Sequence, residues 1–96
     1  MIYGRLDHDA KLAAVKISVD NSQIRLLSDL FNQVYKTRIA RSSGINYQKL
    51  NRRLQAPEYF TKEEIDALAR AFNIGVDQIS QIIGNQITEN RRLIGI

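Results

Sequence analysis

The residues best suited to chemistry lie in the middle of the chain, where basic side chains accumulate without an acidic one. Between Asp29 and Glu58 the sequence has six basic residues, namely Lys36, Arg38, Arg41, Lys49, Arg52 and Arg53. The remainder of the chain has eight basic and ten acidic residues, so the formal net charge of +4 arises in this segment. Such asymmetry is typical of a surface that binds a polyanion. The alternative is a solvated basic face without a ligand.

The residues that serve catalysis or metal binding are sparse. The sequence has no cysteine and one histidine, His8, which stands between Asp7 and Asp9. Because further ligands or triad members are missing nearby, we interpret Asp7-His8-Asp9 as an exposed polar run. Glu63 and Glu64 diverge by about 100° on a helix, and Glu64 is better explained as a cap. With no Gly-rich phosphate loop either, we expect no enzyme activity, no metal and no cofactor.

Length and composition predict one globular domain. The chain has 96 residues, of which 44% are hydrophobic and 25% charged, which is average for folded proteins. Without cysteine, its stability has to come from packing. We find no signal peptide and no apolar run of about 18 residues, so we expect a cytoplasmic protein without a membrane partner.

The first 20 residues are predicted to form an arm or strand. Val15, Ile17 and Val19 alternate with polar residues, which is a strand pattern that needs a pairing partner. Asp20 followed by Gln23 resembles a capping box, and apolar residues then recur at helical spacing. We therefore predict a helix over residues 21–35.

Two short helices joined by a glycine turn follow. The first is predicted over residues 37–42, with Ile39 and Ala40 buried, and Gly44 ends it by taking a positive φ. Asn46 is a suitable N-cap for a second helix over residues 46–55, which has Leu50 on its apolar side. This spacing, with Ile45 in the turn, predicts a helix-turn-helix.

Two more helices complete the predicted domain. Pro57 ends the preceding helix, and Thr61 with Glu64 forms a capping box for the next one, which should end near Asn73. The last helix is predicted to begin at an Asp77 cap and to end at Gly84. Residues 21–84 would then form the domain, and residues 85–96 a tail.

Two sets of residues give the chain a family resemblance. One is the helix-turn-helix spacing, and the other is the later apolar series Ile65, Leu68, Ala69, Phe72, Ile74 and Val76. On these residues the chain resembles the lambda repressor/Cro type of helix-turn-helix domain, a family of five-helix DNA-binding modules. The resemblance implies an all-α fold with a recognition helix over residues 46–55 in the DNA major groove. The alternation of Val15, Ile17 and Val19 adds a short N-terminal strand to this expectation.

The resemblance also implies roles for single residues. The base contacts would be Gln48, Asn51 and Arg52. The phosphate contacts would be Lys36, Thr37, Arg38, Lys49 and Arg53. In base contacts an amide pairs with adenine and a guanidinium with guanine. For Asn46 we favour the helix cap over a base contact, and for Tyr47 a core or rim position over a phosphate contact.

The chain departs from the family pattern at two places. The family often has glutamine where this chain has Lys36, which can bind phosphate but cannot make the same amide bridge to a neighbour. The second apolar anchor of the recognition helix is Leu54, one position later than is common, and Arg53 occupies the usual position. This shift changes which side chains face the bases.

The function expected from these features is sequence-specific binding of double-stranded DNA by a small transcriptional regulator, either a repressor or antitoxin-like. A non-enzymatic protein-protein adaptor on the same scaffold is the alternative. One module contacts few base pairs, so we expect a homodimer built from the terminal segments, and a small protein partner is a further option.

Overall fold

The computed structural model describes residues 2–94, with side chains from residue 7 onward. The chain forms α1 (Ile2–Asp20), α2 (Leu27–Phe31), α3 (Lys36–Ser43), α4 (Tyr47–Gln55), a 3₁₀ turn (Pro57–Tyr59), α5 (Lys62–Phe72) and α6 (Val76–Ile94). Within this range there is no β-strand. The predicted all-α class is confirmed, with α2 to α6 as its five helices and α1 as an additional one.

The core is a single apolar cluster to which every α-helix contributes. At its centre the rings of Phe31 in α2 and Phe72 in α5 meet edge to face, with centroids 5.3 Å apart. Fully or almost fully buried aliphatic side chains surround this pair, among them Val15, Leu27, Leu30, Ile39, Leu50, Leu68 and Ile79. The core therefore fixes α3 and α4 against the rest of the domain.

The predicted N-terminal strand is wrong, because its residues lie in α1. Val15 and Val19 are one helical turn apart and both are buried, whereas Ile17 on the opposite side is 61% exposed. Leu12 and His8 extend the inward stripe toward the N-terminus, so the interpretation of His8 as an exposed residue is also wrong. The segment from Val15 to Val19 is compatible with the two-residue repeat of a strand and with the 3.6-residue repeat of a helix. The inward-facing series that starts at His8 is longer and fits only the helical repeat.

The predicted capping box at Asp20 is the end of α1 instead. Ser22 has a φ of 59°, in the left-handed region, and its N–H donates to the carbonyl of Val19. The N–H of Gln23 donates to the carbonyl of Ser18 over 2.8 Å. These two bonds define a Schellman motif, which satisfies the last carbonyl groups of a helix.

The helix predicted over residues 21–35 is much shorter as a consequence. Residues 21–23 close the end of α1, and Leu26 is extended with φ −116° and ψ 153°. Only α2 then remains helical, with Leu27, Leu30 and Phe31 all buried. Tyr35 already serves as the N-cap residue of α3.

The last helix begins earlier and ends later than predicted. The N-cap position is Gly75 rather than Asp77, since the Gly75 N–H donates to the Gln78 side chain and the Gly75 carbonyl accepts the helical bond from Ile79. Gly84 does not end α6, which continues through the predicted tail to Ile94. A glycine inside a helix costs about 1 kcal/mol, and contacts of later residues with the core offset this cost.

Three long-range hydrogen bonds that involve side chains join α6 to the end of α1, to the segment after it and to the start of α2. Gln78 donates to the Asp20 carboxylate over 3.0 Å. The Asn85 amide donates to the Arg25 carbonyl over 3.0 Å. The Ser28 N–H donates to the carbonyl oxygen of the Gln86 side chain over 3.2 Å. We call this set the amide seam.

Candidate nucleic-acid interface

The helix-turn-helix pair consists of α3 and α4, as the spacing predicts. Ile39, Ala40, Ile45 and Leu50 are all buried, so each member of the apolar pattern packs into the core. Gly44 has a φ of 76°, and its N–H donates to the Ala40 carbonyl over 3.0 Å. These contacts fix the turn, and hence the direction in which α4 leaves it.

Asn46 caps α4. Its side-chain oxygen accepts from the N–H of Gln48 over 2.9 Å and from the N–H of Lys49 over 3.1 Å. The cap thereby satisfies two N–H groups that have no carbonyl partner inside the helix. Because this oxygen is engaged, the favoured interpretation of Asn46 as a cap agrees with the structure.

The outward face of α4 carries two of the three predicted base contacts. Gln48 and Arg52 are exposed and lie about 160° from the buried Leu50 on the helix. Their side chains make no hydrogen bond to the described part of the chain. Both side chains are therefore free to reach a ligand that lies along this face.

Asn51, the third predicted base contact, lies at the edge of α4 that faces α3. Its side-chain carbonyl oxygen accepts a hydrogen bond of 2.8 Å from the Lys36 ammonium group at the start of α3. The ammonium nitrogen also lies 5.9 Å from the ring centroid of Tyr47, the first residue of α4. Lys36 thus bridges to a neighbour through its ammonium group, which donates to the side-chain amide of Asn51. We call Lys36, Tyr47 and Asn51 the α3 edge.

Arg53, a predicted phosphate contact, lies at the opposite edge of α4. Its guanidinium Nε donates to the carboxylate of Glu64 over 3.0 Å, and both side chains are largely buried. The same carboxylate oxygen accepts the N–H of Thr61 over 2.9 Å and completes the predicted capping box of α5. We call Arg53 and Glu64 the α5 edge. The position that the family fills with an apolar anchor holds an ion pair here.

The charge of Glu64 is stabilised by these contacts. Burial acts to raise the pKa of Glu64, but the Thr61 N–H, the Arg53 guanidinium and the nearby Lys49 act against it. Their combined effect holds the pKa of Glu64 below its usual range. Arg53 therefore faces an ionised carboxylate at neutral pH, and its positive charge is offset inside the chain.

The other five basic residues of the central segment keep their charge unpaired. Among residues 7–94, none of them lies within 4.0 Å of a carboxylate; they are Lys36, Arg38, Arg41, Lys49 and Arg52. Thr37, the remaining predicted phosphate contact, is exposed in the first turn of α3. The structure thus leaves these five charges on α3 and α4 without a carboxylate partner, and the sequence did not predict the pairing of Arg53.

Sequence reasoning missed two contacts next to this surface. It did not connect Glu64 with Arg53, because the two residues belong to different helices whose relative rotation is not visible in a periodic pattern. It also missed Lys11 of α1, whose ammonium nitrogen lies 5.5 Å from the ring centroid of Tyr35 at the start of α3. Asp7, one turn before Lys11, accepts from the Tyr35 hydroxyl and raises the pKa of Tyr35. A helical interpretation of residues 7–11 would have placed Asp7 and Lys11 on one face.

The described residues include neither a cluster of metal ligands nor a membrane-spanning helix. No group of three or more His, Cys, Asp or Glu side chains in this range is arranged to hold a metal ion. None of the helices in this range is both long enough and apolar enough to cross a membrane.

Comparison with protein-family models, curated proteins and solved structures finds no significant match to this chain.

Proposed function

We propose that the chain binds double-stranded DNA with α4 in the major groove and acts as a small sequence-specific transcriptional regulator, a repressor or an antitoxin-like protein. In this proposal Gln48, Asn51 and Arg52 contact bases. Phosphates are contacted from the flanks by Lys36, Thr37, Arg38 and Lys49. Arg53 contributes less than the resemblance implies, because Glu64 already binds it.

The observation that carries the proposal is the uncompensated positive charge of α3 and α4. Neither helix has an acidic residue in its first turn, whereas α5 has two and α6 has one. A helix N-terminus favours negative charge, so basic residues such as Lys36 and Arg38 in the first turn of α3 are unfavourable in the free protein. Phosphate groups of a DNA backbone would supply the missing negative charge.

A homodimer is part of this proposal, although strand pairing cannot form it. Val15 and Val19 are buried in the core and unavailable to a second chain. Exposed apolar side chains remain at the end of α6, where Leu93 is 73% exposed and Ile94 70% exposed. A two-fold pairing through this end would present two α4 helices to half-sites about 34 Å apart. Sedimentation equilibrium that shows a monomer with and without DNA would exclude the dimer.

The salt dependence of binding to duplex DNA tests the proposed function. If about three to five phosphates are neutralised per subunit, the logarithm of the binding constant should fall against the logarithm of salt concentration with a slope of about −3 to −4. Fluorescence anisotropy of a labelled duplex at several salt concentrations measures this slope. The variant Arg70→Ala, which removes an exposed basic residue of α5 outside the central segment, is the charge-matched control and should leave the slope unchanged.

The adaptor alternative makes the opposite prediction. A protein-binding adaptor would show no measurable affinity for duplex DNA, or a slope close to zero. Such a result would reject the DNA-binding proposal, and the basic segment would then be a docking surface for an acidic protein.

A further inference from the structure

We infer that Lys36 determines which base Asn51 recognises, by holding the Asn51 amide so that the two side chains present only hydrogen-bond donors. The pair would then select guanine where an unconstrained asparagine selects adenine. This inference rests on the proposed function and refines it, because it assigns a base preference to one position of the binding site.

The orientation of the amide follows from the chemistry of the bond. An ammonium group has three donors and no acceptor, so Lys36 can bind only the carbonyl oxygen of the Asn51 side chain. The bond is 2.8 Å long, and the Tyr47 ring lies against the same ammonium group. The NH₂ group of Asn51 makes no hydrogen bond to the described residues. It is also not among the buried polar groups that lack a partner, so solvent reaches it. It is therefore the part of the amide that remains available to a ligand.

The available groups match one base better than the others. Adenine offers an acceptor, N7, and a donor, the N6 amino group, so a bidentate contact requires the carbonyl oxygen of asparagine. In this chain that oxygen is bound to a positive charge, which also repels the partly positive hydrogens of the N6 amino group. Guanine offers two acceptors, N7 and O6. The Asn51 NH₂ group and the remaining Lys36 N–H groups are complementary to both.

The two interactions at Lys36 argue against a role as a simple phosphate clamp. A phosphate contact needs only a free ammonium group, and a flexible lysine provides it without a neighbour. Here the ammonium group is shared with Asn51, at the edge of the α4 face that is proposed to enter the groove. Besides its contact with phosphate, Lys36 therefore orients Asn51 and adds donors beside its NH₂ group, so removal of Lys36 should change base preference as well as affinity.

The test is a selection experiment followed by affinity measurements. The full chain and the variants Lys36→Met, Asn51→Ala and Arg38→Ala are each used to select from a library of duplexes with randomised positions. Anisotropy is then measured on two duplexes that differ only at the position whose preference is lost in Asn51→Ala. Lys36→Met keeps much of the length of the side chain and removes the ammonium group. Arg38→Ala is the control, because Arg38 lies in the same helix and carries the same charge but makes no hydrogen bond to Asn51. Circular dichroism checks that each variant is folded.

The unmodified chain should prefer guanine over adenine at that position by about tenfold. Lys36→Met should abolish this preference or turn it toward adenine, whereas Arg38→Ala should weaken both duplexes alike. A preference for guanine that survives in Lys36→Met would overturn the inference while leaving the proposed function intact. A preference for adenine in the unmodified chain would overturn it as well. Failure of the unmodified chain to bind any duplex would reject the proposed function, and this inference with it.

Discussion

The α3 edge and the α5 edge of α4 each hold a basic side chain, but they leave it in different electrostatic states. At the α3 edge Lys36 donates to the neutral amide of Asn51, so its full positive charge remains. At the α5 edge Arg53 donates to the carboxylate of Glu64, so its charge is offset. The α3 edge therefore presents a net positive charge to the proposed ligand, whereas the α5 edge links α4 to α5.

This difference shows that a count of basic residues is a poor measure of a binding surface. The central segment has six basic residues, yet one of them serves the stability of the domain. A charge that is held by a buried carboxylate adds little to long-range attraction, because the pair is nearly neutral at a distance. Contacts of the α5 edge should therefore affect folding, and contacts of the α3 edge should affect binding.

The largest expected effect is the loss of Glu64 from the α5 edge. Glu64→Ala removes half of the capping box and leaves Arg53 partly buried without a partner, so the free energy of unfolding should fall by about 2 to 3 kcal/mol. Urea denaturation followed by circular dichroism measures this change. Glu63→Ala, at the exposed neighbouring position, should change it by less than about 0.5 kcal/mol. Equal effects of the two variants would contradict a special role for Glu64.

The second prediction concerns neighbouring arginines of α4. Arg52→Ala should weaken binding to a selected DNA site by about 1 to 3 kcal/mol and binding to random DNA only slightly. Arg53→Ala should weaken binding by less than about 1 kcal/mol, because its guanidinium is already paired. Anisotropy titrations on both duplexes provide the comparison. A larger binding loss for Arg53→Ala than for Arg52→Ala would mean that α4 meets DNA through a different face.

A smaller effect is expected when Glu64 loses its charge but keeps its shape. Glu64→Gln retains a residue that can complete a capping box and releases the charge of Arg53. If Arg53 then contacts one more phosphate, the slope of binding against salt should become steeper by about 0.9 per subunit. Glu63→Gln removes an equal charge without releasing an arginine and serves as the control. An equal change in both variants would show that net charge alone is responsible.

The smallest expected effect is a dependence of stability on acid pH. Because the pKa of Glu64 is lowered in the folded chain from its ordinary value of 4.5, its ionised form stabilises the fold above that pH. The contribution is lost as the pH falls through the lower, folded-state pKa. Thermal unfolding between neutral and acid pH should therefore show a steeper loss of stability for the unmodified chain than for Glu64→Gln. Parallel curves would show that Glu64 contributes nothing to this dependence.

Local signals in the sequence predicted the part of the fold that forms the candidate site. The positive φ of Gly44, the cap at Asn46 and the capping box of Thr61 and Glu64 all depend on residues a few positions apart. Each feature forms within one turn of the backbone, so the residue types at that spacing are sufficient to predict it. The boundaries of α3, α4 and α5 were predicted for this reason.

Several of the wrong predictions depend on distant residues. The segment from Val15 to Val19 fits a strand locally and becomes helical with its inward face in a core formed by later residues. Gly84 resembles a helix end locally, but α6 continues along neighbours that the sequence does not identify. The pairing of Arg53 with Glu64 likewise depends on how α4 and α5 are rotated against each other. A linear pattern contains none of these relations.

The amide seam bears on the order in which the domain assembles. Its hydrogen bonds connect residues that are 58 to 60 positions apart, whereas the turn at Gly44 closes within a single helical turn. Closing a long loop costs entropy before any contact repays it, so we expect the segment from Asp20 to Ser28 to join α6 after the α3, α4 and α5 unit has formed. Amide protons of the segment from Asp20 to Ser28 should then exchange with solvent through partial opening, while those of α3 exchange only when the whole domain unfolds. Equal protection of both segments would contradict this order. If the order holds, the proposed DNA surface is the first part of the protein to acquire its native geometry and the last to lose it.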